Sequence, residues 1–227
     1  MLGVDDRIAE LAGGSWPFAL LIALLLGLRH ATDPDHLTAI SMLVAGDEPD
    51  GGRRARRLGL AWGLGHATAL LVFGLPVLLY GARLPDSLRR AAELAIGLVI
   101  IAMAMRLLVR LQRHIHEHVP RRDLPGRTPR AAFGIGLVHG TGGSAGVSVL
   151  ILGSAAGQRG VAALCLVVLA GGAMVSMVLL STAFGSVLAK GSLVRGLCGA
   201  MPALGVGGVV FGAWYALAAL QAAQYPF

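Results

Sequence analysis

Five ionisable side chains, Arg29, His30, Asp33, Asp35 and His36, fall within eight consecutive positions of the stretch GLRHATDPDHLTAIS (27–41). Imidazole combined with carboxylate is the donor set of a borderline divalent ion such as Ni²⁺, Co²⁺ or Zn²⁺; the histidines disfavour Mg²⁺, and the lack of paired thiolates or a methionine cluster argues against Cu⁺. The flanking residues are a run of Leu, Ala, Ile and Val. At membrane depth each charge costs about 2.5–3.5 kcal/mol by insertion scales, so such residues face a protein interior and carry function.

A regular helix cannot gather this set. At about 100° per residue, His30, Asp33 and His36 follow a drifting stripe and Asp35 points away from it. Pro34 lacks an N–H, clashes with the preceding turn and pushes Asp33 out of the α region. A break or unwound turn at Pro34 is therefore expected, folding both carboxylates and both imidazoles toward one point. Broken helices are tolerated in membranes where they line a cavity, and they mark the binding sites of secondary transporters.

Two further intramembrane histidines extend the candidate metal set to His30, Asp33, Asp35, His36, His66 and His139. His66 lies in LGLAWGLGHATALLVFG and His139 in VHGTGGSAG, where Gly63, Gly65, Gly140, Gly142 and Gly143 permit close helix approach or local unwinding. The supporting residues are Arg29, Pro34, Thr68, Thr141 and Ser144. Arg29 is expected to pair with Asp33, one helical turn on. Against the functional reading stands a structural one, in which each histidine is hydrogen-bonded between helices; it weighs more on His66 and His139 taken singly than on His30 and His36. The loop tract RHIHEH, with His114, His116 and His118 at alternate positions, reads either as a weak metal-docking segment or as a solvated basic loop.

The elements that must hold these residues follow from composition. The chain has 227 residues, 56% of them apolar and 14% charged, with 33 glycines, which points to a transmembrane bundle rather than a soluble domain. Runs of about 20 residues that can cross a bilayer lie at 17–45, 58–82, 89–111, 131–155, 161–189 and 197–221. The expected fold is all-α, a polytopic membrane protein of six spans. The start, MLGVDDRIAELAGGSW, has one Arg against three acids and does not resemble a cleaved signal peptide. Cys165 and Cys198 fall inside spans and read as packing residues. The net charge of +7 is spread over membrane-flanking loops, which speaks against nucleic acid as a partner.

Topology follows from the same charges. Arg7, Arg83, Arg89, Arg90 and Arg159 lie on the side of the termini, whereas Arg53, Arg54, Arg56, Arg57, Arg106, Arg110, Arg113, Arg121, Arg122, Arg127, Arg130, Lys190 and Arg195 lie on the other. The positive-inside rule puts the second group in the cytoplasm and both termini outside. The polar third loop divides the chain into an N-terminal half, 1–111, with the metal signature, a basic linker, 112–130, and a C-terminal half, 131–227. Sliding one half over the other by 109 residues aligns GLRHATDPDHLTAISML (27–43) with GLVHGTGGSAGVSVLIL (136–152), His30 over His139 and Thr32 over Thr141. Three spans per half is an odd number, so the expected relation is a 3+3 inverted repeat.

RHATDPDH (29–36) resembles the signature helix of the nickel/cobalt transporter family of high-affinity permeases, whose usual form is Arg-His-Ala-x-Asp-Ala-Asp-His. LGHAT (64–68) is similar to that family's next helix. The resemblance is specific over residues 24–75. Beyond them HGTGGSAG stands where those permeases carry an acidic Gly-Phe-Asp-Thr-Ala-Thr-Glu-like segment, and GGAMVSMVLLSTAFG where they carry an Asp-Thr motif; HGTGGSAG looks more like the shorter, urease-accessory-like branch. Family members usually have eight spans, one of them before the signature helix, and loss of that leading span agrees with an external N-terminus.

The resemblance implies nickel, or cobalt, as a transported ion rather than a resident cofactor. The leading expectation is a non-enzymatic permease that carries the ion inward across the cell inner membrane, with the divalent ion and the lipid bilayer as partners. Export is the first alternative. A partner that delivers metal to a nickel-enzyme assembly is another. An intramembrane hydrolase, using Ser144 with His139 or His66 or a zinc ion held by the His/Asp cluster, is the alternative from a different class.

Overall fold

The structure is a computed structural model that describes residues 16–44, 51–80, 85–116, 128–142, 159–189 and 191–220. Among the described residues every regular element is a helix: α1 Trp16–His30, α2 Pro34–Val44, α3 Gly51–Tyr80, α4 Asp86–His116, α5 Pro129–His139, α6 Arg159–Ala189 and α7 Gly191–Ala219. Among the described residues four stretches are long and apolar enough to cross a membrane: Gly52–Tyr80, Asp86–Arg113, Arg159–Leu188 and Met201–Ala219. They correspond to the second, third, fifth and sixth expected spans. The fourth, 131–155, is described only as far as residue 142, and the first is split into α1 and α2.

The split falls at Pro34. Helix α1 ends at His30, residues 31–33 form a turn, and Pro34 is the first residue of α2, the helix position where a missing N–H costs nothing. The carbonyls orphaned at the end of α1 find donors locally and across the bundle. Thr32 N–H donates to Arg29 O at 2.8 Å and Asp33 N–H to His30 O at 3.2 Å. Thr32 Oγ1 also donates to Arg29 O, and Ser176 Oγ on α6 donates to Leu28 O at 2.6 Å. Leu37 N–H then donates to Asp33 O, the first bond of α2.

Helix α5 begins with Thr128 as N-cap, its Oγ1 accepting from Ala131 N–H, and Pro129 follows. It ends at His139 with Gly140, whose N–H bonds back to Gly136 O. The histidines His30 and His139 thus each close a helix.

Helices α3 and α6 pack along one another, as do α4 and α7, while α1 lies on α6 and α5 on α3. Glycines make these approaches close. A Cβ on Gly136 of α5 would meet Trp62 O and lie 2.9 Å from His66 N, and one on Gly65 of α3 would meet Phe133 O and lie 3.0 Å from Leu137 N. On the other side, a Cβ on Gly27 of α1 would meet Leu169 O and lie 3.1 Å from Ala173 N, and one on Gly172 of α6 would lie 3.1 Å from Leu24 O. Backbone-to-backbone approach through small residues is how helices associate without a hydrophobic driving force between them. The main core, with Ile40, Met42, Leu43, Leu58, Trp62, Met103 and Met177, lies where α2, α3, α4 and α6 meet. Cys165 is buried in a second cluster with Leu166 and Leu169, as a packing residue.

Candidate metal centre

The turn at 31–33 reverses the divergence that a straight helix would impose. His30, Asp35, His36, His66 and His139 are all buried, with exposures of 3% or less, and Asp33 is partly buried. His30 Nε2 lies 3.0 Å from His66 Nε2. The ring centroids of His30 and His36 are 4.5 Å apart, those of His36 and His66 5.0 Å, and those of His36 and His139 5.7 Å. Three imidazoles from α1, α2 and α3 therefore gather together, and His139 of α5 stands beside them against His36 and Trp62 but belongs to neither group of donor atoms close enough to share an ion.

Donor atoms of His30, His36 and His66 all lie within 4.8 Å of one another, as do those of Asp33, Asp35 and His36. The two groups share His36, which makes them parts of one cluster.

The carboxylates sit against the imidazoles. Asp33 Oδ2 is 3.4 Å from His30 Nδ1, and Asp35 Oδ1 is 3.1 Å from His36 Nδ1, a close pair that lacks the alignment of a hydrogen bond. The Arg29–Asp33 pair expected from the sequence is not formed: Arg29 is exposed and Asp33 engages His30. Helix α1 ends at His30, so the one-turn spacing on which that pairing depends does not extend to Asp33.

His139 shows how one ligand is readied. Its Nδ1 donates to Ile135 O at 3.2 Å, and because a carbonyl only accepts, the proton is on Nδ1 and the Nε2 lone pair is free. That Nε2 is buried and without a hydrogen-bond partner.

Buried polar atoms are almost always hydrogen-bonded, and an exception calls for an explanation such as a bound ion. Among the described residues, Asp35 Oδ1 and Oδ2, His36 Nδ1 and Nε2, His66 Nδ1, His139 Nε2 and Trp62 Nε1 are buried with no hydrogen bond, Asp35 Oδ1 and His36 Nδ1 having only each other as an ion pair. All seven belong to this cluster; the other such atom is Ser181 Oγ, on α6. A donor set rich in lone pairs, closed off from solvent and left without hydrogens to accept, fits a divalent cation.

The supporting hydroxyls turn back to their own helices. Thr68 Oγ1 donates to Leu64 O and Thr141 Oγ1 to Val138 O, each at 2.7 Å. Ser144, residues 143–155 of the fourth expected span, and His118 lie outside the described residues, as do the side chains of His114, His116 and Cys198.

Three residues near the site belong to no motif. Trp62 packs its indole against His36 at 5.5 Å and His139 at 5.9 Å. Ser176 caps the broken end of α1. Glu93 is buried in α4, 3.0 Å from Arg89 Nη1, with its backbone beside Gly142 in the turn after His139. Glu93 has a visible signal, being the single acid in the span 89–111; Trp62 and Ser176 have none without the fold.

The chain is a distant relative of a urease accessory protein. Over 142 residues it is 26% identical to the urease accessory protein UreH of Bacillus sp. (strain TB-90), a match that covers 59% of this chain and 61% of that relative. No family model matches the chain, and no solved structure matches it.

Proposed function

We propose that the chain is a membrane transporter of divalent transition-metal ions, with nickel, or cobalt, as the carried ion and inward movement across the cell inner membrane as its direction. His30, Asp33, Asp35, His36, His66 and His139 form the ion site. The observation that carries this reading is the gathering of seven buried polar atoms without a hydrogen bond at a helix break, among helices apolar enough to cross a membrane. A site of this kind at membrane depth binds an ion for passage rather than for structure, because its ligands sit on separate helices that meet at a break.

In the proposed topology α1 and α2 together make the first span and α5 begins the fourth, giving six spans, external termini and two halves of three related by inversion. The matched glycine contacts of α1 on α6 and of α5 on α3 support that pairing of the halves. The ion is recognised by exchanging water ligands for imidazole and carboxylate. The protein strips part of its water shell, holds His139 in the binding tautomer, and provides Ser176 to keep the break capped.

The relative's printed name favours one second reading, a membrane component that delivers metal to a nickel-enzyme assembly. Purified protein in proteoliposomes, given Ni²⁺, Co²⁺ or Zn²⁺ under imposed pH and voltage gradients, separates the two. Uptake of Ni²⁺ or Co²⁺ that disappears in His36→Ala is the expected result. Wild type and His36→Ala that move the ions equally, or not at all, would refute transport through this site. Overexpressing cells should become more sensitive to nickel; resistance would reverse the assigned direction.

A further inference from the structure

Of the seven atoms, the two Asp35 oxygens and one ring nitrogen each of His36, His66 and His139 can present lone pairs to a cation, because a neutral imidazole carries one N–H and one lone pair. Trp62 Nε1 cannot. An indole N–H is a donor only, so no metal ion satisfies Trp62 Nε1, however well it satisfies the histidines beside it. Trp62 is fully buried in the main core with Ile40, Leu43, Leu58, Met103 and Met177, whose side chains offer no acceptor stronger than a thioether sulfur. Its ring contacts are with His36 and His139, whose ring nitrogens are the ones an ion would occupy. A buried N–H left without an acceptor costs about as much as the loss of a hydrogen bond. An oxygen brought in with the ion would supply that acceptor.

We propose that Trp62 is a specificity-determining residue of the site: its indole N–H holds a water molecule that the cation retains as it enters the histidine cluster. The inference rests on the metal-site reading above and adds to it the state of the bound ion, which is partly hydrated and has an oxygen in one coordination position. The oxygen of a coordinated water accepts from Trp62 while its lone pair binds the metal. Ions that keep a fifth or sixth ligand, as Ni²⁺ and Co²⁺ do, are then favoured over Zn²⁺, which closes readily to four.

Co²⁺ is the probe, because its visible absorption distinguishes four-coordinate from five- or six-coordinate sites. Full-length protein in detergent is titrated with Co²⁺ as wild type, as Trp62→Phe, as His36→Ala and with β-(3-benzothienyl)alanine at position 62, which keeps the bicyclic shape and removes the N–H. Wild type is expected to show the weak bands of a five- or six-coordinate ion. Both position-62 variants should bind about tenfold more weakly, with a shift toward the intense bands of four-coordination. The benzothienyl variant decides the matter where Trp62→Phe is not monodisperse. If both variants match wild type in affinity and spectrum while His36→Ala abolishes binding, the Trp62 inference fails and the metal site stands. If affinity falls with an unchanged spectrum, the N–H serves the protein and not the ion, and the inference fails. If wild type binds no Co²⁺, both readings fall together.

Discussion

Replacement of Gly136 by alanine puts the architecture of the proposed metal centre to a severe test. Gly136 lies one turn before His139 on α5 and faces Trp62 and His66 of α3, so the added methyl would strike the backbone of the helix that carries two residues of the site. The built Cβ is 2.9 Å from His66 N and nearer still to Trp62 O, whereas ordinary contact begins at 3.4 Å. Neither neighbour is a side chain that can turn aside, so α5 must retreat from α3 by about 1 Å to restore van der Waals separation. A retreat of that size carries His139 away from His36 and His66 by several times the roughly 0.2 Å tolerance of a metal–ligand distance. The expected loss in metal affinity is about tenfold to a hundredfold, the range seen when the supports of a metal ligand are removed, together with about 1–3 kcal/mol of overpacking strain.

Gly134 provides the internal control. It lies on the same helix two residues earlier, and a Cβ there meets nothing within 4 Å. Alanine at either position improves intrinsic helix propensity by up to about 1 kcal/mol, so propensity alone predicts that both variants gain stability. Steric approach predicts that they diverge, with Gly134→Ala at or above wild type and Gly136→Ala below it. Thermal unfolding of the purified proteins and Ni²⁺ accumulation in cells supply the two readouts. If Gly136→Ala equals Gly134→Ala in both, α5 does not lie on α3 as described, and the placement of His139 in the centre is refuted.

Two further perturbations address the break and the cluster. Ser176→Ala removes the one cross-bundle donor to the end of α1 and should cost about 1 kcal/mol, seen as a lower unfolding temperature with metal affinity also reduced because His30 is two residues from the freed carbonyl; unchanged stability and affinity would remove Ser176 from the site. His30→Ala and His66→Ala should each abolish high-affinity Ni²⁺ binding in equilibrium dialysis, and the double variant should be no worse than either, since their Nε2 atoms are 3.0 Å apart and act as a unit; additive losses would mean that the two imidazoles bind separately.

The sequence carried the break and most of the histidine cluster in legible form. Pro34 after Asp33 is incompatible with a continuous helix for local steric reasons, and local rules survive folding. His30, Asp35 and His36 announce themselves because charge at membrane depth is costly. The Arg29–Asp33 pairing misled, because i,i+4 spacing assumes the helix that Pro34 interrupts. Trp62 and Ser176 were not legible for a different reason. A tryptophan or a serine in an apolar helix is ordinary, and what singles these out is an unmet hydrogen bond or a distant carbonyl, 148 residues away for Ser176 and Leu28.

The relation between the halves shows the same division between local and tertiary information. Under the 109-residue shift that brings His30 onto His139, Gly27, Leu24 and Leu28 of α1 fall on Gly136, Phe133 and Leu137 of α5. The partners of these residues on α6 and α3 correspond only under a shift of 107: Trp62, Gly65 and His66 fall on Leu169, Gly172 and Ala173. With both shifts applied, Gly27 against Leu169 and Ala173 becomes Gly136 against Trp62 and His66, and Gly172 against Leu24 and Leu28 becomes Gly65 against Phe133 and Leu137. A single sliding register misses this because the connection between the paired helices differs by two residues in the two halves, and because the contacts are to backbone atoms, which leave side-chain identity unconstrained. The same correspondence accounts for a one-sided metal centre. His30 has a counterpart in His139, but the counterpart of His66 is Ala173, so the second half contributes one imidazole where the first contributes three. Under the proposed inverted-repeat arrangement, a bundle whose backbone contacts correspond and whose ligands do not binds its ion chiefly through one half.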